Sequence, residues 1–482
     1  MFGEILSYIY SGTLHVSMDT VQPLYQAADH LQLDYVRDTC SNYMAMNVER
    51  STCVDLYKFA DVFYVENVQK QCLQWIARHF TEVASSEEFC SLSVNQLTEI
   101  ISYDELDVKE EATVWEAVVR WVQHSREDRL HHLPSILPHI RFNLLTSDDR
   151  AAILENPLVK ENPGSSEVMK NVVQKVNSNL KPRLGMTTEM ILLCHGSKEI
   201  LFMNPREEKN ISCTYKPEDL PDFLAMTVTS DNDIYMLEAK ELENEDQVSL
   251  FKYNHAKNAW EHECVSSISK RPEGCLIHRE QMLFEVDGTL FYIVFYEDGP
   301  FLLMRKYNQH TKQWQECSQL RFDPTVYYSV TLSCGSHIYF LTSDEVHRYD
   351  LTRDKWIMRT PPFIILDVCT AVTMRTEIFF TNFDFSWIMV YDTESDRWQK
   401  LQSWSNPGNL EITECPSLFV LDNQLHIWLI CENDDDEEEH LLYVYDRSAD
   451  AWTDLKATLP DKKYYAYGHH CQVARMYLPY LK

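Results

Sequence analysis

Acidic side chains gather at five places in the C-terminal half of this chain, and histidines stand in two adjacent pairs. These are the residues whose type and spacing could do chemistry. Residues 238–247 hold five acids, Glu241, Glu243, Glu245 and Asp246 among them, against one lysine. Glu297 and Asp298 follow, then Asp344 and Glu345, then Asp384, and residues 431–440 hold seven more acids. Over the whole chain 74 acids face 43 bases, a net charge of −31. Clustered carboxylates of this density set up a field that attracts a cationic partner, and they disfavour nucleic acid. The plain alternative is a solvated surface. His131–His132 and His469–His470–Cys471 are the metal-ligand candidates, but neither has a second pair at ligand spacing, so surface or core histidines are the stronger reading. There is no Gly-x-Ser-x-Gly, His-Glu-x-x-His or phosphate loop, and eleven glycines are too few to build the last. The residues point to a binding protein without catalytic or metal residues, and no motif asks for a cofactor.

The elements that must carry these acids show themselves through a repeat. A tyrosine, an Asn or Asp directly after it, and a tryptophan seven positions beyond the tyrosine recur as Tyr253/Trp260, Tyr307/Trp314, Tyr349/Trp356, Tyr391/Trp398 and Tyr445/Trp452. Each copy reads as a strand, a tight turn and a second strand. A polar turn and an alternating apolar strand precede each tyrosine, as in DNDIYML from Asp231 and CGSHIYFL from Cys334. The unit is therefore four short antiparallel strands, and its period is close to the roughly 50 residues of kelch-type propeller blades. Residues 191–210 read as a decayed sixth unit, with Met203 in the tyrosine position, Asn204 kept and Asn210 in the tryptophan position. The last apolar segment, 471–477, is left to pair back into that unit and close a six-bladed ring without exposed edges. The fixed spacing marks the tryptophans as core aromatics, whose loss would cost roughly 3–5 kcal/mol each. The acid clusters fall in corresponding loops of successive blades and so form one negative rim, the candidate substrate-binding surface.

Glycine is scarce for such a fold. No unit has the Gly-Gly pair that usually supplies positive backbone dihedrals, so the turns must be rebuilt with Asn, Asp and Ser or differ in geometry. Fourteen cysteines are scattered singly, which suits reduced, buried thiols better than a disulfide framework. No run of about 18 apolar residues exists, and the first residues carry an acid where a signal peptide needs bases. The expectation is a soluble protein of the cytoplasm, or of the nucleus as well, with no membrane insertion.

Up to about residue 185 the apolar period is helical. Residues 109–124 put Trp115, Val118, Val119 and Val122 on one face, with charges opposite and acids in the first turn. Residues 67–80 do the same with Val68, Cys72, Leu73, Ile76 and Phe80. The segments 163–166 and 181–185 bracket a last helix, after which the period changes to two.

These residues also carry a resemblance. The stretch from Phe80 to Phe89, Leu92, Leu97, Asp104 to Asp107, Glu111 and the tryptophan of VVRWV are similar to the BACK domain. Upstream, Glu4 to Leu14, Ala27–Ala28 with Leu31–Gln32, and Cys40 resemble the last third of a BTB domain. With the propeller this is the order of the BTB–BACK–Kelch family, and the resemblance covers essentially the whole chain. It implies a multidomain α plus all-β protein: a BTB remnant over 1–46, a BACK domain over 47–165, a linker helix over 166–185 and a six-bladed Kelch propeller over 186–482. It further implies a non-catalytic substrate-recognition adaptor of a cullin-3 RING ubiquitin ligase. In that arrangement the propeller holds a protein substrate, here one with a basic segment, and the helices from Asp34 to Tyr64 face the cullin. The chain begins at the closing segment of the BTB resemblance, so the expectation is weakened or lost cullin-3 binding, with a homodimer only where the BTB is complete. The alternative is a kelch scaffold or cytoskeleton-associated interaction protein without ligase recruitment.

Overall fold

A computed structural model describes residues 2–174, 181–195, 199–216, 219–220, 224–241, 246–268, 278–296, 301–322, 329–363, 367–406, 410–433, 438–457, 464 and 471–481. The chain divides into two compact units, Met1–Thr187 and Thr188–Lys482.

The first unit is helical. Its helices are α1 (Phe2–Ser11), α2 (Met18–His30), α3 (Asp34–Met46), α4 (Cys53–Phe63), α5 (Glu66–Arg78), α6 (Phe80–Ala84), α7 (Val94–Ser102), α8 (Glu111–His124), α9 (Arg126–Arg129), α10 (Leu133–Ile136), α11 (Ser147–Glu155), α12 (Pro157–Glu161) and α13 (Pro163–Gln174). The helix starts are written locally: Ser93 and Gln96 make a reciprocal capping box at α7, and Thr146 and Asp149 make another at α11. One apolar cluster runs from Ile5 through Val68, Cys72, Ile76 and Phe80 to Val118, Val122 and Met169. In α8 the expected face is buried, with Val119 at its half-buried edge.

One acid of α8 departs from the expected charged face. Glu111 lies in the core, and its carboxylate accepts from Arg183 Nε and Nη2, both at 2.7 Å, and from the Arg141 backbone N–H at 2.9 Å. Both side chains of the Arg183–Glu111 pair are 0 % exposed. Arg183 also donates to the carbonyls of Ile101 and Tyr103, and Arg141 bonds the Lys181 carbonyl and Asp104. Gly185 fits here because a Cβ would meet Asp107 and the Val108 backbone at 2.4 Å. The segment 181–187 is thus locked to the helical unit by buried charge, rather than spanning open space as a sequence linker would.

The second unit is a ring of six blades. Blade 1 comprises β1 (Thr188–His195), β2 (Glu199–Asn204) and β3 (Lys209–Thr214); blade 2, β4 (Ala225–Val228), β5 (Ile234–Glu241), β6 (Asp246–Asn254) and β7 (Ala259–Ile268). Blade 3 has β8 (His278–Val286), β9 (Thr289–Tyr296), β10 (Phe301–Asn308), β11 (Gln313–Glu316) and the short β12 (Leu320–Arg321). Blade 4 has β13 (Ser329–Cys334), β14 (His337–Thr342), β15 (Val346–Asp350) and β16 (Lys355–Met358). Blade 5 has β17 (Thr370–Met374), β18 (Glu377–Thr381), β19 (Ile388–Asp392) and β20 (Arg397–Leu401). Blade 6 has β21 (Glu411–Ile412), β22 (Ser417–Leu421), β23 (Gln424–Glu432), β24 (Glu438–Asp446) and β25 (Ala451–Asp454), and β26 (Gln472–Met476) returns to blade 1. There it pairs antiparallel with β1, Thr188 opposite Met476, and becomes the innermost strand of that blade. The inner strands β26, β4, β8, β13, β17 and β22 then touch in a closed circle. Six separate apolar clusters fill the spaces between successive blades, the last joining blade 6 to blade 1.

The repeat aromatics form the joint between the third and fourth strands. In all five blades that have them, tyrosine and tryptophan are direct cross-strand partners, with ring centroids 5.0 to 5.2 Å apart. Met203 and Asn210 hold the same register in blade 1. The Asn or Asp after the tyrosine position accepts two backbone N–H groups of the following turn in all six blades, as Asp350 does from Thr352 and Arg353. The residue five beyond the tyrosine position has positive φ in every blade: Glu208, Asn258, Lys312, Asp354, Asp396 and Asp450, between 47° and 57°. Asn and Asp tolerate this region best among residues with a Cβ, and they stand at four of the six positions; Glu208 and Lys312 take the same dihedral. That is how the fold manages with few glycines.

Two expectations are corrected. The tyrosines are the buried members of the pairs, Tyr391 fully so, whereas Trp260, Trp356, Trp398 and Trp452 are half-buried and only Trp314 is buried. The reason is that each tyrosine packs into the preceding blade while the indole lies across the seam: Trp356 and Trp398 donate to the backbone carbonyls of Ser318 and Thr360 in the preceding blade's exit, at 3.0 and 2.9 Å. The cysteines are also not all free thiols. Eleven described cysteines are buried and free, but Cys369 and Cys415 are joined as a disulfide, because the ring brings together the entries of two inner strands 46 residues apart in sequence.

Candidate functional site

With four antiparallel strands per blade, every loop between second and third strands emerges on one face of the ring, together with every connection from an outer strand to the next inner strand. The acid clusters lie in or beside these loops. The rim candidates fall unevenly on the described residues: Glu243, Glu245, Glu297, Asp298 and Asp434 to Glu437 lie outside them. Glu241 and Asp246 are the last and first residues of β5 and β6 and are cross-strand partners. Asp344, Glu345 and Asp384 have described side chains.

Blade 5 shows how such a loop is held. Asn382 is buried, and its carbonyl oxygen accepts the N–H groups of Ser386 at 3.0 Å and Trp387 at 3.3 Å, while its amide donates to Ser386 Oγ at 2.9 Å and to Asp384. Phe385, at φ 51°, turns inward and is buried against Trp404 and Trp452. This rigid frame pushes Phe383 outward, 46 % exposed, beside the exposed Asp384. In blade 4, Thr342 Oγ1 accepts the Glu345 N–H at 3.0 Å and fixes the tight loop. Asp344 is exposed there, whereas Glu345 turns back to His347 Nε2 at 2.8 Å. In blade 6, Glu438 pairs similarly with His440 Nε2 at 2.9 Å. The described rim acids Asp344, Glu345, Asp384 and Glu438 are all hydrogen-bonded within their own blades, Asp344 by Thr342 Oγ1 at 3.3 Å and Asp384 by Asn382 and the Ser386 N–H, yet Asp344, Asp384 and Glu438 remain exposed while Glu345 is half-buried. Sequence reasoning passed over Phe383 and Phe363, which is 62 % exposed in the connection from blade 4 to blade 5. An apolar residue inside an acidic loop was the available signal for Phe383.

The centre of the ring holds a cavity of about 450 Å³, lined by Thr227, Gln281, Glu285, Asp287, Thr331, Thr373 and Gln472 among others. Its two acids are occupied by the frame: Glu285 accepts the N–H groups of Ser230 and Gly288, and Asp287 accepts from Ser336 Oγ at 3.0 Å. No group of three or more His, Cys, Asp or Glu residues capable of holding a metal stands together among the described residues. The His131 and His132 rings touch at a tilt of 42°, with centroids 3.8 Å apart, and burial and His131 push the His132 imidazole below its usual value; His469 and His470 lie outside the described residues. No described helix is long and apolar enough to cross a membrane.

In the helical unit a second cavity, of about 410 Å³, lies between Tyr25, Asp29, Arg37, Asp38 and Ser41 on one side and Phe63 to Asn67 on the other. Arg37 spans its wall, bonding Asp29 at 3.4 Å and Asp34 at 2.9 Å. Beside it Val62 and Tyr64 are exposed, Tyr64 at φ 54° as the left-handed cap of α4. This is the stretch that the resemblance assigned to the cullin.

Comparison with known proteins agrees with this architecture. The BTB/POZ domain family matches residues 1–48, and the BACK (BTB And C-terminal Kelch) family matches residues 53–154. Kelch repeat and BTB domain-containing protein 8 of Xenopus tropicalis is 25% identical over 514 residues, covering 98% of this chain and 81% of its own length. Kelch repeat and BTB domain-containing protein 2 of Homo sapiens is likewise 25% identical, over 520 residues with the same coverage. Kelch-like protein 3 of Danio rerio is 38% identical over 161 residues, 33% of this chain and 27% of its own. With a helical unit matched by both N-terminal families, a six-bladed propeller after it, and relatives aligned along nearly all of its length, the chain is similar throughout to the BTB–BACK–Kelch proteins.

Proposed function

We propose that the protein is a non-catalytic substrate-recognition adaptor of a cullin-3 ubiquitin ligase, its propeller binding a protein substrate and its BTB–BACK unit facing the cullin. The observation that carries this reading is the pairing, in one chain, of a BTB–BACK helical unit with a propeller whose acidic loop face includes a hydrogen-bonded loop that presents Phe383. The exposed Phe383 between Asn382 and Asp384, with Asp344 on the neighbouring blade, suits a substrate segment that carries basic side chains around an apolar one. On the helical unit the exposed Val62 and Tyr64 beside the cavity of α2 to α5 supply the apolar surface for the cullin.

The test is co-precipitation of cullin-3 from cells with a tagged form that carries a complete BTB domain ahead of this BACK–propeller arrangement, beside the same form with Val62→Glu and Tyr64→Glu. Cullin-3 should accompany the unaltered form and be lost from the variant, while a captured substrate should remain with both. If cullin-3 follows neither, the scaffold reading, in which the propeller binds its partner without ligase recruitment, replaces this one.

A further inference from the structure

Among the described cysteines, two stand apart from the rest. Burial pushes the thiols of Cys72, Cys194 and Cys471 up to about 12 and those of Cys40, Cys53 and Cys431 to about 11. Thiols of that kind carry almost no thiolate and react slowly. Cys415, by contrast, is exposed. Its partner Cys369 lies just inside the surface with a Cα–Cα distance of 6.3 Å, within the roughly 4.4–6.8 Å that a disulfide spans without moving the backbone. Cys369 immediately precedes β17 and Cys415 stands two residues before β22, so the pair joins the entries of adjacent inner strands in blades 5 and 6, on the face that carries the acidic loops. The Cys369 N–H donates to the Thr381 carbonyl at 3.0 Å, and Thr381 leads directly into the loop that shows Phe383 and Asp384.

We propose that Cys369 and Cys415 are a reversible, oxidant-responsive cross-link between blades 5 and 6, made by a peroxide and undone by a dithiol reductant. In the forward direction the Cys415 thiolate attacks one peroxide oxygen, the O–O bond breaks, and with a proton the leaving hydroxide departs as water, leaving Cys415 as a sulfenic acid. The Cys369 sulfur then attacks the Cys415 sulfur, the S–O bond breaks, and the hydroxide takes up the Cys369 proton. The balance is two thiols and one peroxide giving one disulfide and two waters. In reverse a dithiol attacks the disulfide, is itself oxidised to a disulfide, and returns both thiols. The cross-link closes a long loop, so it removes freedom from the unfolded chain, and it ties the base of the Asn382–Trp387 loop to the neighbouring blade. The oxidised propeller is therefore the stiffer and more stable form at its binding face.

The experiment uses the full chain, reduced, freed of reductant and divided. One portion receives hydrogen peroxide; remaining thiols in both are trapped with N-ethylmaleimide in denaturant, and the digests are mapped by mass spectrometry. The peroxide portion should contain the Cys369 and Cys415 peptides joined, a dithiol should separate them, and the eleven buried described cysteines should be alkylated in both portions. The oxidised protein should melt higher than the reduced one by on the order of 5 °C, and Cys415→Ser should abolish that difference while melting like the reduced wild type. Recovery of both cysteines alkylated after peroxide, recovery of Cys415 only as a sulfinic acid, or the same melting difference in Cys415→Ser would overturn the proposal. The mapping reads the wild-type protein, so it decides the matter even if the variant folds poorly.

Discussion

Replacing Glu111 by glutamine removes one charge and leaves everything around it the same size. In the folded protein Arg183 is wholly buried, and Glu111 is the carboxylate that meets it, by two bonds of 2.7 Å. A glutamine can present one acceptor to the guanidinium but turns an N–H₂ toward it with the other arm, and the Arg141 N–H competes for the same oxygen. Breaking a buried pair by removing one partner typically costs about 3–5 kcal/mol, because the remaining charge is stranded in low dielectric. For a unit of this size each kcal/mol moves the melting temperature by about 2–4 °C. The helical unit should therefore melt about 6–20 °C lower. Circular dichroism at 222 nm is the assay, since the described residues of the second unit are strands and turns apart from one short helical turn, Leu478–Tyr480, and contribute little helical signal. Replacing both partners by apolar residues, Glu111→Leu with Arg183→Met, should recover part of the loss. Recovery stays partial because Arg183 also serves the carbonyls of Ile101 and Tyr103, and unpaired buried acceptors cost about 1–3 kcal/mol each. A shift of less than about 2 °C in Glu111→Gln, or a double variant as unstable as the sum of the two single ones, would refute the argument that this pair holds segment 181–187 in place.

The remaining expectations are shorter. Tyr391→Phe removes the hydroxyl that donates to Asp396 at 2.5 Å and should destabilise the propeller by about 1–2 kcal/mol; Trp398→Ala, at a half-buried position, should cost about 1–3 kcal/mol rather than the full cost of a buried tryptophan, both read by urea unfolding. The Asp354 carboxyl is held below the usual range by the Ser318 N–H and the Tyr349 hydroxyl. A lowered folded pKa contributes stability that is complete above the unfolded value near 4 and is lost as pH falls through the lower folded value; Asp354→Asn should therefore flatten the loss of stability below about pH 4, and an acid limb identical to wild type would remove this assignment. Phe383→Ala, at a side chain outside the hydrogen-bonded loop frame, should weaken capture of a basic substrate segment with little change in melting temperature, and binding of the unaltered protein should fall as salt shortens the screening length below about 10 Å.

What could be read from the sequence was what recurs in register. Tyrosine and tryptophan are seven apart because they face each other across a turn of constant length, and that geometry fixes spacing wherever it is used, even where Met203 and Asn210 replace the aromatics. Closure by 471–477 was legible because an apolar strand without a partner must find an edge. The rest depended on contacts between distant segments. Glu111 looks like any acid in the first turn of a helix until Arg183, 72 residues later, returns to it. Cys369 and Cys415 have no motif between them, and only the ring makes their strands neighbours. The tryptophans looked like core because fixed spacing records a shared geometry, and it is silent on depth. The rim was legible as charge but not as architecture, since Asn382, which frames the blade 5 loop, is an unremarkable polar residue in sequence.

The pairing of β26 with β1 sets an order of events during synthesis. Thr188 leaves the ribosome with the edge of β1 unpaired, and its partner Met476 follows 288 residues later. At about 5–20 residues per second that is roughly 15–60 s. Throughout that interval blades can form one after another, but the ring stays open at both ends, with β1 presenting free backbone groups to any strand it meets. Blade 1 is thus the last to be completed although its second strand is the first to be made, and the nascent propeller is most exposed to mispairing and to chaperone capture just before β26 appears.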